Sequence, residues 1–221
     1  MKNLVIAIDG PAGAGKSTIS KMIAEKLGIN YIDTGAMYRA VTYKCLVEGI
    51  NISDENSVIN ICENCDVDFI DSKIYLDGVC INDKIRTHNV SENVSNVAKI
   101  GKVREILVKK QREIGSKNDV ILDGRDVGTC IFPDTKYKFF LNASPEERGR
   151  RRYQELKDKG HNVELESIIK DIEKRDYIDS TRDVAPLVKA DDAIEIDSTS
   201  MSIEQVVECI VNKVKEKSKV V

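Results

Sequence analysis

Residues 4–18 read LVIAIDGPAGAGKST. Leu4 to Ile8 form a continuous apolar run, the pattern of a central parallel strand covered on both faces. Gly10 to Ser17 then fit G-x-x-x-x-G-K-[ST]. Glycines let that backbone curl so that its N–H groups converge on phosphate oxygens. A helix beginning near Lys16 directs the positive end of its dipole at the same anion. Lys16 reaches the β- and γ-phosphates, and Ser17 is placed to ligate Mg²⁺. The motif sits where it must, with a strand before it and a helix after it. A merely tight strand-to-helix turn is the bland alternative.

Outward from this loop the chain alternates strand and helix. The first helix spans about Lys16 to Leu27 and ends at Gly28. Asn30–Asp33 reads as a second strand, and a helix from Thr34 runs to about Glu48, before Gly49. Ser53-Asp-Glu-Asn can cap another helix. Near residue 66 the period changes to two, with Asp77-Gly78 as a hairpin turn. A small antiparallel insert is expected over 60–95. A helix over about Val97 to Ile114 leads to the strand Val120-Ile121-Leu122. Tyr137–Leu141 is the next strand, and Ser144-Pro-Glu-Glu147 is a helix start with N-cap, first-turn proline and capping-box glutamate. Two helices follow, broken around Lys159-Gly160. A last strand over Asp192–Ile196 precedes a helix capped by Ser202. This order predicts an α/β fold with a parallel three-layer sheet. We expect one domain over 1–221.

Composition narrows the function. The net charge is −3, which argues against a general nucleic-acid footprint. No apolar stretch reaches membrane-spanning length, and the N-terminus turns polar too soon for a signal peptide. A cytoplasmic protein without nucleic-acid or membrane partners is expected, and a monomer. Six cysteines are present. Cys62 and Cys65 form a lone CxxC without a second pair, so most are expected to be small buried thiols in a reducing compartment rather than zinc ligands. The guanine-reading Asn-Lys-x-Asp of GTPases is absent.

A small kinase needs an acceptor site and cations that close over the transfer. Asp33-Thr-Gly-Ala-Met-Tyr-Arg39 follows the second strand. Thr34 can donate to an anion, and the Arg39 fork can bind two phosphate oxygens. A helix cap with an exposed arginine is the alternative. DVILDGRDVG at 119–128 ends an apolar strand in Asp123, Arg125 and Asp126. In an open α/β sheet that edge is where ligands sit.

Taken with IRTHNV at 85–90, VREIL at 103–107, DGRDVGTCIFPD at 123–134, RRR at 150–152, RDVAPL at 182–187 and DSTSMSIEQV at 197–206, these motifs make the chain resemble the bacterial cytidylate kinase family. These are P-loop nucleoside monophosphate kinases, and the resemblance runs from Asp9 to Glu204. It implies a core of five parallel strands, a monophosphate-binding insert at 60–95 and a short helical lid at 148–165. It implies MgATP-dependent phosphorylation of CMP and dCMP, with UMP used less well. Gly10, Pro11, Ala12, Gly13, Ala14, Gly15, Lys16, Ser17 and Thr18 would hold ATP. Thr34, where the family often has serine, would keep a hydroxyl near the acceptor. Arg39, Arg125 and Arg182 look like a cationic ring around the acceptor phosphate. Ser95, Arg104 and Asp126 match positions that read cytosine, and Arg175 and Asp179 match positions near the sugar and phosphate.

Chemistry supports these expectations. The cytosine N4 amino group is a donor that suits a carboxylate such as Asp126. Uracil would oppose lone pairs there, leaving a buried acceptor unmet. The acceptor phosphate is already an anion, so positioning and charge neutralisation carry the reaction. Ser17 is expected on Mg²⁺ and Asp123 on a metal-bound water. Arg148, Arg151 and Arg152 lie at helical spacings that present guanidiniums to one side, as internal arginine fingers. A solvated helix pairing with Glu147 and Glu155 is the alternative. The remaining readings are another small-acceptor kinase, for UMP, AMP or shikimate, and a nucleotide-binding regulatory module without transferase activity.

Overall fold

The computed structural model describes residues 3–70, 72–158 and 160–218. Its frame is a five-stranded parallel sheet in the order β2-β6-β1-β7-β8. The strands are β1 (Val5–Asp9), β2 (Asn30–Asp33), β6 (Val120–Gly124), β7 (Tyr137–Asn142) and β8 (Ile194–Asp197). β1 lies at the centre, with Val5 opposite Val120 and Asp9 opposite Gly124 in β6. Its Ile6, Ala7 and Ile8 have no exposed surface. That is why the run is apolar at consecutive rather than alternate positions.

Helices cover both faces. α1 (Lys16–Leu27) packs with α8 (Ile203–Ser218) over Ile6, Ile8, Ile121, Phe139 and Leu141. α2 (Thr34–Val47), α3 (Glu55–Asn64), α4 (His88–Ala98) and α5 (Gly101–Gly115) form a second core with the antiparallel strands β3 (Val67–Ile70) and β4 (Lys73–Leu76). α6 (Pro145–Asp158) and α7 (Leu165–Thr181) pack on each other. Local signals set the ends. Gly28 closes α1 at φ 65°, and the side chains of Asp33 and Asp54 cap α2 and α3. Ser144 Oγ accepts from the Glu147 amide at 3.2 Å. Ser202 and Gln205 cap each other's amides at the start of α8. Asp77 and Gly78, both at positive φ, turn β4 into β5 (Val79–Cys80), as a type I′ hairpin requires.

Three expectations change. The helix expected over Val97–Ile114 is two helices, α4 and α5. Between them Ile100 takes an extended backbone, ψ 113°, and buries its side chain in the core. Within 60–95 only Val67–Cys80 carry strands, because residues 60–64 complete α3 and 88–95 belong to α4. The thiols are also less buried than expected. Cys45 and Cys62 are buried, Cys65, Cys130 and Cys209 half-buried, and Cys80 exposed. The break expected at Lys159-Gly160 falls partly on Lys159, which lies outside the described residues. Gly160 turns the chain at φ 80°.

Candidate active site

The glycine-rich loop leaves β1 through Gly10, whose φ is 151°. A Cβ there would lie 2.0 Å from the Leu141 carbonyl oxygen, so only glycine lets the loop turn beside β7. The loop curls through Gly13 and Gly15, at φ 76° and 84°, into α1. Lys16 Nζ donates to the Gly10 and Pro11 carbonyls, 2.7 Å each. Burial and the neighbouring Arg125 guanidinium hold the Lys16 ammonium well below its ordinary pKa, against the pull of Asp123.

Asp123, at the end of β6, faces this loop. Its Oδ2 accepts from Ser17 Oγ at 2.8 Å and its Oδ1 from the Tyr31 hydroxyl at 2.9 Å. Burial, then repulsion from Asp33, pushes its carboxyl above the usual range. A hydroxyl and a carboxylate side by side are the hard-oxygen chemistry that suits Mg²⁺. Among the described residues, no three His, Cys, Asp or Glu side chains are grouped to hold a metal. A site here would therefore take much of its coordination from phosphate and water. Thr34 is differently engaged. Its Oγ1 donates to the Asp123 carbonyl at 2.7 Å, which ties α2 to β6.

The remaining acceptor-side residues fall into two groups. Asp126 is buried between Arg104, which pairs with its Oδ2, and Arg182, 3.5 Å from its Oδ1. Arg104 is 2 % exposed. Arg182 also donates to the Ala185 carbonyl. The second group surrounds Asp179, which accepts from Arg125 Nε at 2.8 Å and from Ser95 Oγ at 3.1 Å. Arg175 lies 3.9 Å from it. Burial raises the Asp179 carboxyl, but Arg125, Arg175 and Arg182 outweigh it and hold the pKa below the usual value. Arg39 belongs near this group. Burial, then repulsion from Arg175, lowers its pKa to about 9. Burial, then Arg125, lowers that of Arg175 to about 10. Arg39, Arg125 and Arg175 crowd together. Arg182 joins Arg104 around Asp126 and also lies 4.0 Å from Asp179, so it bridges the two groups.

The three lid arginines take three directions instead of sharing one face. Arg148 is buried and turns inward. Its Nη1 donates to the Ala12 carbonyl at 2.7 Å and pairs with Asp176, and its Nε donates to the Ala143 carbonyl at 3.0 Å. Arg151 pairs with Glu147 at 3.0 Å and donates to the Ser198 carbonyl at 2.7 Å. Arg152 pairs with Glu155 at 2.7 Å. The glutamate pairs are those of a basic helix in solvent, and only Arg148 reaches the phosphate loop.

Sequence reasoning did not assign four further residues. Asp176 Oδ1 accepts from the Ala12 amide at 2.9 Å. Asp9 accepts from the amides of Val127 and Gly128. Tyr31 orients Asp123, and Arg86 pairs with Asp33 at 2.8 Å. Asp9 and Arg86 stand inside conspicuous motifs. Tyr31 and Asp176 carry no local signal, because only folding brings them to Asp123 and Ala12.

The family described as cytidylate kinase matches residues 6–216. The chain is 65 % identical to a cytidylate kinase of Clostridioides difficile (strain 630), over 97 % of this chain and 99 % of that protein. It is 47 % identical to a cytidylate kinase of Bacillus subtilis (strain 168), over 99 % of each. Among solved structures, it superposes on an uncharacterized protein from Eubacterium ventriosum ATCC 27560 with a TM-score of 0.53 at 12 % identity, covering 97 % of this chain and 99 % of that one. A gluconokinase from Sinorhizobium meliloti 1021 gives 0.50 at 13 %, covering 99 % and 97 %. These two likenesses concern the fold alone. No helix among the described residues is long and apolar enough to cross a membrane.

Proposed function

This chain belongs to the cytidylate kinase family, and from that premise we propose that it transfers the γ-phosphoryl group of ATP to CMP and dCMP. One observation carries the reading. A buried carboxylate flanked by two guanidiniums, Arg104–Asp126–Arg182, stands on the strand end that also carries Asp123 opposite the phosphate loop. Donor and acceptor elements therefore share one crevice.

Lys16 and the loop amides hold the donor phosphates. Arg39, Arg125 and Arg175, crowded together, hold the acceptor phosphate. Asp126 accepts from the cytosine N4 amino group, and Arg104 and Ser95 complete the pocket for base and sugar, with Asp179 orienting Arg125. Thr34 acts from the wall of the pocket. Mg²⁺ bound with ATP supplies charge neutralisation on the phosphates, and Ser17, with Asp123 through water, would hold it. An acceptor oxygen attacks the γ-phosphorus in line, and no side chain has to remove a proton first. Arg148 fixes the phosphate loop, while Arg151 and Arg152 approach the phosphates only if α6 moves. Closure of the lid at 148–165 and of the insert at 60–95 excludes water and suppresses hydrolysis of ATP.

We propose that the enzyme works as a monomer. Its six free cysteines suit a reducing cytoplasm. ADP release measured with CMP, dCMP, UMP, AMP, GMP and shikimate tests the assignment. Turnover with CMP and dCMP well above the others is expected, and absence of CMP-dependent turnover sinks it. Binding of CMP and ATP without formation of CDP would favour a regulatory module instead.

A further inference from the structure

The residues Val127–Ile131, immediately after Asp126, form a single π-helical turn. Such turns are rare, because their hydrogen bonds are spaced less favourably than those of an α-helix. Here the Asp126 carbonyl accepts from Cys130 at 2.8 Å and Ile131 at 3.1 Å, and the Val127 carbonyl from Phe132 at 2.7 Å. The leading amides of Val127 and Gly128 look away from that ladder. A buried amide without a partner is costly.

Asp9 supplies both partners. Its Oδ1 accepts from the Val127 amide at 2.8 Å and its Oδ2 from the Gly128 amide at 2.7 Å. Asp9 is 5 % exposed and is the last residue of β1, directly before Gly10. A carboxylate engaged by one amide on each oxygen fixes both the position and the rotation of the turn. Gly128 permits the approach. A Cβ there would lie 3.2 Å from the Lys138 side chain and 3.4 Å from Asp9 Oδ2. The Asp126 backbone is thus held through its own carbonyl on one side and through the next two amides on the other.

We infer that Asp9 is a positioning residue for acceptor choice. Both of its oxygens are engaged by the Val127 and Gly128 amides, and it sets the turn from which Asp126 presents its carboxylate to the acceptor base. The inference rests on the proposed role of Asp126 as the reader of the cytosine amino group. It also means that the residue starting the donor loop sets the geometry of the acceptor pocket.

The test is the ratio of kcat/KM for CMP to that for UMP in four proteins: wild type, Asp126→Ala, Asp9→Asn and Gly128→Ala. Asn presents an N–H₂ group to one of the two amides, so the turn loosens while volume is conserved. The ratio is expected to fall about tenfold in Asp9→Asn, the scale of one charge-assisted hydrogen bond. Gly128→Ala, which presses on Lys138 and Asp9, should lower it in the same direction by less. KM for CMP should rise more than KM for ATP. Equal loss toward CMP and UMP in Asp9→Asn would show a merely structural role and overturn the inference. Should Asp9→Asn not fold, Gly128→Ala decides by the same ratio, and an unchanged ratio there overturns it. A ratio unchanged in Asp126→Ala refutes the base-reading role itself. A ratio lost in Asp126→Ala but kept in both other variants refutes only the role of Asp9.

Discussion

Ser17 and Asp123, 106 residues apart in the chain, share a hydrogen bond of 2.8 Å. It joins the first turn of α1 to the tip of β6, so the phosphate loop and the acceptor strand form one edge. The other oxygen of Asp123 is held by Tyr31. Asp123 can therefore stay in place when Ser17 turns toward a ligand.

Lys16→Met is expected to lower turnover by about a thousandfold or more, the scale of losing a preorganised charge at a transferring phosphoryl group. The fold should survive, because among the described residues the ammonium's hydrogen bonds go to the Gly10 and Pro11 carbonyls. Steady-state kinetics with circular dichroism check both parts, and a fully active variant refutes the donor-site assignment.

Asp126→Ala should weaken CMP binding and reduce the preference for CMP over UMP. It should also destabilise the protein. Arg104 would be left as a buried cation without its carboxylate, and Arg182 with the more distant Asp179, 4.0 Å away, at a cost of about 3–5 kcal/mol. Urea unfolding measures that loss. A midpoint equal to wild type would mean that the guanidiniums find other partners.

Asp176→Ala removes the acceptor of the Ala12 amide and the partner of Arg148 at once. The Ala12 methyl also packs with Ile168 and Ile172 of α7, so α7 grips the phosphate loop at this residue. KM for ATP should rise several-fold with KM for CMP little changed, and stability should fall by about 1–3 kcal/mol. Initial-rate kinetics with each substrate varied in turn check this. A rise confined to CMP would contradict it.

Asp9 should make stability fall as pH rises between about 4 and 6, against the opposite slope of carboxylates held low in the fold, such as Asp179. Burial, opposed by the Val127 and Gly128 amides and by Lys16 and assisted by Asp126, raises the Asp9 pKa from 3.8 to about 6. Between those values the folded state binds the proton more tightly than the unfolded chain. That contribution is complete below pH 3.8 and is lost as pH rises through 6, by up to about 3 kcal/mol. Asp9→Asn cannot titrate and should flatten this part of the curve, while raised Asp123 retains a slope of the same sign. Urea midpoints from pH 4 to 7 measure it, and parallel curves for the two proteins would refute the assignment.

Much of this molecule was legible in local sequence. The apolar run before Gly10, the spacing to Lys16 and Ser17, the caps at Asp33, Ser144 and Ser202, and the Asp77-Gly78 turn each act within a few residues. Their physics is that of backbone torsion and short-range hydrogen bonding. The break between α4 and α5 was not legible, because it depends on Ile100 finding a core. The π-helical turn was not legible either, since its leading amides are satisfied from β1.

The charges divide the same way. Their positions at strand ends and helix starts follow from the sequence alone, and so does the expectation of a phosphate loop facing a cationic acceptor pocket. Which charges meet was decided only by tertiary structure. Arg182 joined Arg104 on Asp126, Arg148 turned to Ala12 and Asp176, and Asp9 reached across to Val127 and Gly128. A guanidinium's helical spacing says where its stem begins. The carboxylates that Arg104, Arg148 and Arg182 meet in the dry interior lie on other elements, more than twenty residues away, and packing alone brings them within reach.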